Sequence, residues 1–202
     1  MLKKIAAAAA ALALTAAAHA GTVVFNASGF NSGDVDTQAP GFSTAGFSSP
    51  SSAGIVTFTL LGFNTLDGQN FYEDDFTLTV NGTAVLVGTF NLGGAGANVL
   101  YTSPSGTTIT GLNTDPNTVT GTGGALDFTV PVTLLASGNV ISWNYVSLSD
   151  ANHAGFQGIG DEGWGLAKVE VTAVPEPGSV ALLLAGLGVV GGLARRRAAR
   201  QA

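Results

Sequence analysis

The 202-residue chain contains no cysteine. Disulfides and thiolate metal sites are therefore excluded, and whatever folds here is held by its core alone. Basic residues are nearly as scarce away from the ends. Of the seven Lys and Arg, six are terminal (Lys3, Lys4, Arg195, Arg196, Arg197 and Arg200), and only Lys168 lies between. Residues 21–174 carry twelve Asp and Glu against that one lysine, a net charge of −11 with no arginine. Such a surface repels phosphate, so no nucleic acid partner is expected. An anionic membrane surface is disfavoured for the same reason, which leaves neutral sugars, cations and basic surfaces. His153 is the one histidine of this segment. Alone and without cysteine it cannot supply the usual zinc ligand set, and no Ser or Cys nucleophile motif accompanies it.

The ends have a different character. Lys3 and Lys4 precede an apolar run over residues 5–18, and Ala18, His19 and Ala20 give the small-x-small pattern of signal peptidase cleavage, placing the mature start at Gly21. The run is too short for an ordinary membrane span, which needs about 20 apolar residues. No cysteine near the cleavage point means no lipoprotein. Residues 1–20 thus read as a signal peptide, with the Sec translocon and signal peptidase as partners.

Residues 21–173 show no sustained 3.6-residue apolar period, whereas period two recurs. Phe76, Leu78 and Val80 alternate with Thr77 and Thr79; Asn81 and Gly82 then supply a type I′ turn, predicting a hairpin over residues 76–90. Residues 55–63 form an apolar strand. Residues 126–135 and 139–148 read as another strand pair, with Ile141, Trp143 and Tyr145 on one face. The last strand spans 164–174, with Val169 and Val171 inward and Lys168 and Glu170 outward. Gly93–Ala97 and Gly121–Gly124 read as mobile loops or turns. The polar stretch 31–52 is long for a structureless connection, so a short strand or a binding loop is expected there. The pattern predicts one all-β domain, an antiparallel β-sandwich.

At the C-terminus, Pro175, Glu176 and Pro177 lead into an apolar stretch over 180–194, and Arg195, Arg196 and Arg197 follow. A helix over 179–194 is only ~24 Å long, short of a ~30 Å hydrocarbon core, but snorkelling arginines and bilayer thinning allow insertion. The arginines stay cytoplasmic by the positive-inside rule, as Lys3 and Lys4 do, so the acidic middle is exported. Pro-Glu-Pro, a short apolar helix and a terminal Arg cluster in this order resemble the PEP-CTERM sorting domain of Gram-negative bacteria. The resemblance covers residues 174–202. It implies recognition by an exosortase, processing near Pro175, Glu176 and Pro177, and an association with exopolysaccharide and biofilm. A plain membrane anchor is the alternative, though it would not require Pro-Glu-Pro. The segment 163–171 is similar to the last strand of many PEP-CTERM ectodomains, which often resemble carbohydrate-binding jelly rolls. With the 75–82 segment it implies a jelly-roll-like sandwich.

Acids gather at Glu73, Asp74 and Asp75, at Asp34 and Asp36, and at Asp161 and Glu162, with Asp150 nearby. One reading is a structural Ca²⁺ held by Asp74, Asp75, Asp161 and Glu162, since hard cations take several oxygen ligands. The other is solvated charge at strand ends. Paired carboxylates also serve glycoside hydrolysis, but with this many acids the existence of a pair says little. Trp143, Tyr145, Trp164, Phe156 and Tyr72 are the candidate sugar-stacking rings; Trp143 and Tyr145 read as core, and Trp164, between two glycines, reads either as the best candidate for an exposed ring or as a cap on the core. The expectation is a non-catalytic surface or matrix protein without a cofactor. It is anchored transiently in the inner membrane and then deployed at the cell surface, outer membrane or extracellular matrix with polysaccharide. The alternative is a carbohydrate-binding module with its site near Trp164.

Overall fold

The computed structural model describes residues 21–32, 41–112, 119–154, 162–175, 184, 186–192 and 196–197. The chain divides into two units, Val23–Ala173 and the terminal segments Met1–Thr22 with Val174–Ala202. The first is built from strands: β1 (Thr22–Asn31), β2 (Phe42–Ser43), β3 (Ala53–Asn64), β4 (Asp74–Val80), β5 (Thr83–Thr89), β6 (Val99–Thr102), β7 (Thr108–Thr110), β8 (Gly124–Thr133), β9 (Ile141–Ser147), β10 (Ser149–Asp150), β11 (His153–Ala154) and β12 (Glu162–Ala173). They make one five-stranded sheet in the order β1-β12-β3-β8-β7, another in the order β2-β9-β4-β5-β6, and the small β10-β11 ribbon. The pairings of β3 with β12 and β8, and of β4 with β5 and β9, are antiparallel.

Period two becomes burial directly. In β4 and β9 every second residue is buried: Phe76, Leu78 and Val80 on one, Ile141, Trp143 and Tyr145 on the other. Their neighbours Thr77, Thr79, Ser142 and Asn144 form the half-buried opposite face. Asn81 and Gly82 both adopt positive φ, 52° and 81°, so the β4–β5 connection is the expected tight turn. β3 lies between β12 and β8, and its core face sends Phe58 against rings of both sheets. Phe58 stacks on Phe128 of β8 at 4.7 Å and meets Phe76 of β4 at 5.8 Å and Trp143 of β9 at 5.9 Å. Phe90 and Trp164 extend the same buried cluster.

Two sequence readings change. Residues 126–135 and 139–148 are not partners: β8 pairs with β3 and β7, β9 with β4 and β2, so the chain changes sheet between them. Buried Asn139 fastens that crossover. Its Nδ2 donates to the carbonyls of Leu135 (2.7 Å) and Phe47 (3.2 Å), and its Oδ1 accepts from Leu135 N (2.7 Å) and Asn81 Nδ2 (3.1 Å). Along β12 the inward parity holds for Val169 and Val171, but Trp164 and Leu166 are buried too. A bulge switches the parity: the register against β3 slips between Ala167 and Glu170, and Lys168 takes φ 52°. The polar stretch 31–52 contains the short strand β2, paired with β9; residues 33–40 lie outside the described residues.

The glycine-rich segments, read as mobile loops or turns, are turns. They are stitched together by Thr120 N and Gly121 N donating to Gly93 O (3.0 and 2.9 Å) and Gly123 N to Asn64 O (2.7 Å). A Cβ on Gly93, at φ 99°, would lie 2.0 Å from Asn64 O.

The expected signal peptide, residues 1–20 with Ala18 and Ala20, lies outside the described residues; Gly21 is exposed. Among the described residues no helix is long and apolar enough to cross a membrane. Gly186–Gly192 and Arg196–Arg197 are helical, and Arg195 is outside the described residues.

The two kinds of glycine separate in a denaturation experiment. Gly82→Ala, with open space around it, is expected to cost about 1–2 kcal/mol of backbone strain. Gly93→Ala must move backbone as well and is expected to cost clearly more in urea unfolding; equal losses would contradict this packing.

Candidate functional site

The acidic residues of the β3–β4 connection do not form one cluster; the pleat divides them. Asp74 begins β4 with the same inward parity as Phe76, Asp75 has the opposite parity, and Glu73, just before the strand, is buried under Tyr101 and His153. Asp74 closes the connection on itself: its Oδ2 accepts from Asp67 N (2.9 Å), and Asp74 N donates to Asp67 O (3.2 Å). Asp67 Oδ1 in turn accepts from Asn70 Nδ2 (2.9 Å) and Ala95 N (2.8 Å), tying in the 93–97 segment. Burial pushes the Asp74 carboxyl from its ordinary 3.8 up to about 7. The Asp67 N–H and the nearby Ser147 hydroxyl oppose the shift, and the charges of Asp67 and Asp75 add to it. That hydroxyl lies near enough to act electrostatically but outside hydrogen-bond geometry.

On the outer face, the Tyr101 hydroxyl of β6 donates to Glu73 Oε1 and accepts from Gln69 Nε2 (3.2 Å). His153 of β11 sets its Nε2 3.5 Å from Glu73 Oε2 and its Nδ1 2.9 Å from Asp150 Oδ1. Asp75 is raised to about 6, first by burial, then by the charge and a hydrogen bond of Glu73; His153 opposes the shift. Burial and the Glu73 contact push the Tyr101 hydroxyl up to about 12. Asp150 is lowered by the Asn152 N–H and then by His153.

Next to this cluster lies an aromatic rim. Phe71 is 55 % exposed, Tyr72 41 % and Tyr101 45 %. Phe71 and Tyr72 meet edge-to-face at 5.2 Å. Both are fixed through the backbone, Ala154 N donating to Phe71 O (2.8 Å) and Tyr72 N to Asn70 Oδ1 (2.5 Å).

These positions correct one expectation, about Trp164, and place three of the four candidate cation ligands. Asp74 and Asp75 are adjacent in a strand and point to opposite faces, Glu162 belongs to the other sheet, and Asp161 lies outside the described residues. Among the described residues no group of three or more His, Asp or Glu could hold a metal ion. Trp164 offers no stacking platform: it is 0 % exposed, packed on Phe30 (5.0 Å), Tyr145 (5.8 Å) and Phe76 (6.3 Å). Its flanking glycines mark close approach instead of exposure, since a Cβ on Gly165 would sit 2.5 Å from Phe30 O. Trp143 and Tyr145 are core, as expected, and Phe156 lies outside the described residues. The sequence reading named Tyr72 but missed Phe71 and Tyr101, and gave His153 no neighbour.

The Asp74 carboxyl has a sign that can be checked. Because its pKa is raised on folding, the folded state keeps a proton that the unfolded chain releases. The stability it contributes is complete below about pH 4 and is lost as pH climbs to about 7, on the order of a few kcal/mol. Asp75 acts in the same sense, up to about pH 6. The urea midpoint should therefore fall between pH 5 and pH 8, and Asp74→Asn should flatten that fall. An identical pH profile in the variant would contradict the burial of an acid there.

No curated protein matches the chain. Among solved structures, the dimeric latent PorU from Porphyromonas gingivalis is 13 % identical, over 79 % of this chain and 14 % of that one, with a TM-score of 0.34. The infectious bursal disease virus Gx strain structure is 11 % identical, over 85 % of this chain and 48 % of that one, with a TM-score of 0.16. At these scores neither likeness carries an argument. The C-terminal segment gives a definite answer: Pro175 is described and half-buried, and Glu176 and Pro177 lie beyond the described residues. Their sequence and the apolar and arginine-rich segments after them match a known sorting signal. Residues 173–198 are a PEP-CTERM protein-sorting motif, which marks the chain as exported, membrane-transiting and processed by an exosortase.

Proposed function

We propose that this chain is a non-catalytic surface or matrix protein, deployed with extracellular polysaccharide after exosortase processing. The observation that carries the reading is a coincidence of boundaries. The strand-built unit ends at Ala173, and the sorting motif begins at residue 173. Processing near Pro175, Glu176 and Pro177 would release the folded unit whole, with no strand cut. Lys3 and Lys4 at one end and Arg195, Arg196 and Arg197 at the other keep both tails cytoplasmic during export. Cleavage after Ala20 and a membrane-inserted helix over the apolar stretch complete the route.

The exported unit is, on this reading, a jelly-roll β-sandwich. Setting aside the edge strands β6 and β7 and the β10-β11 ribbon leaves two four-stranded sheets, β1-β12-β3-β8 and β2-β9-β4-β5. That order sends successive strands to opposite sheets except at the β4–β5 hairpin, as a jelly roll does.

Replacing Pro175, Glu176 and Pro177 with alanine should strand the full-length protein in the inner membrane, read by fractionation and immunoblotting. Normal release of the variant would refute exosortase processing. The released wild-type protein should co-fractionate with the extracellular polysaccharide of the producing cells; free protein in the medium would refute the matrix role alone.

A further inference from the structure

Exposed aromatic side chains are ordinary when scattered, but one clamped ring and an edge-to-face pair beside carboxylate, amide and imidazole groups form a surface of defined chemistry. Tyr101 lies on β6, the last strand of its sheet. Its hydroxyl is held from two sides by Glu73 and Gln69, so the exposed ring has a fixed orientation. Phe71 and Tyr72 have their backbones anchored to Ala154 and Asn70. Gln69 and Glu73, which hold Tyr101, flank Phe71 and Tyr72 in one short connection, so the three residues belong to one edge of the sheet. The rotamer freedom of Tyr101 and the loop freedom of Phe71 and Tyr72, which binding would otherwise remove, are already reduced.

We propose that the Phe71–Tyr72–Tyr101 rim, with Asp75 and His153 beside it, is a binding site for an uncharged polysaccharide chain. Pyranose rings present apolar C–H faces edged by hydroxyls. The former stack on exposed aromatic faces, and the latter find an acceptor in exposed Asp150 and polar partners in His153 and Gln69. Glu73 is buried beneath the rim and acts as a positioning residue, holding Tyr101 and facing His153. Below Asp75, the outer faces of β4 and β9 continue as Thr77 opposite Asn144 and Thr79 opposite Ser142, an uncharged hydrogen-bonding ladder. Charge selects among glycans. The exported segment carries −11 and no arginine, and its one lysine is on β12 of the other sheet. Uronate and sulfated polymers are therefore excluded and neutral ones admitted.

This site rests on the matrix reading and gives it a contact surface. The test is affinity electrophoresis of the full-length purified protein in gels containing neutral glucan, galactan, mannan or the neutral polysaccharide extracted from the producing bacterium, with alginate as the anionic control. Wild-type protein should be retarded by at least one neutral polymer and not by alginate. Phe71→Ala with Tyr72→Ala, and separately Tyr101→Ala, should weaken that binding about tenfold or more, as loss of an aromatic anchor does. Tyr101→Phe, which keeps the ring, should retain most of it. All three rings are exposed, so unchanged circular dichroism and melting temperature certify the fold; if Tyr101→Ala unfolds, the Phe71/Tyr72 variant decides. Retardation by no neutral polymer, retardation by alginate alone, or equal retardation of the aromatic variants overturns the site. Self-association of the wild type lost in these variants would assign the rim to a second copy and overturn it as well. Persistent matrix co-fractionation of the variants would sink the site and leave the matrix role standing.

Discussion

Phe58 sits where the two sheets touch. It stacks on Phe128 within its own sheet and reaches Phe76 and Trp143 of the other. With no disulfide to limit the unfolded chain, this contact of rings and the aliphatic residues around it is what makes the strands one unit. Each large side chain so buried contributes roughly 1.5–3 kcal/mol, before the entropy of ordering is set against it. The remaining features keep the two faces opposed. Asn139 fixes the point where the chain changes sheet, and the Lys168 bulge lets β12 bury Trp164 on one parity and Val169 on the other. Gly93 and Gly123 let the end segments close against Asn64 and Gly62 without side chains between them.

The same packing explains where chemistry is available. Large rings turned inward are spent on the core, Trp164 among them. What faces outward is determined by the pleat of β4 and by a connection that folds back through Asp67 and Asp74. That fold-back brings Glu73 under Tyr101 and beside His153, and it leaves Phe71 and Tyr72 in solvent. The acids thus divide into Asp74, an inward structural carboxyl whose protonation is coupled to folding, and an outward set that shapes a surface. One strand position separates the two roles.

Much of the architecture was legible because alternation is local. Phe76, Leu78 and Val80, the Asn81–Gly82 turn, and Ile141, Trp143 and Tyr145 all carry their burial in a period of two. The sorting tail was legible for a different reason, since its order of features depends on no folding at all. Pairing was less accessible. The short gap between β8 and β9 reads as a hairpin, and only the core decides that the chain crosses between sheets there. Trp164 stayed undecided between an exposed ring and a core cap, because flanking glycines signal either a loop or a close approach and the sequence does not distinguish them. Tyr101 and His153 lie 28 and 80 positions after Glu73, so no spacing rule joins them; the exposed Phe71–Tyr72 pair was the one local hint.

The central claim is that the tail decides where the folded unit goes and is then removed. Intact-mass measurement of the protein recovered outside the inner membrane tests it most directly. The account predicts a species beginning at Gly21, ending near Pro175, Glu176 and Pro177, and lacking Arg195, Arg196 and Arg197. A recovered species with its arginine-rich C-terminus intact would contradict it.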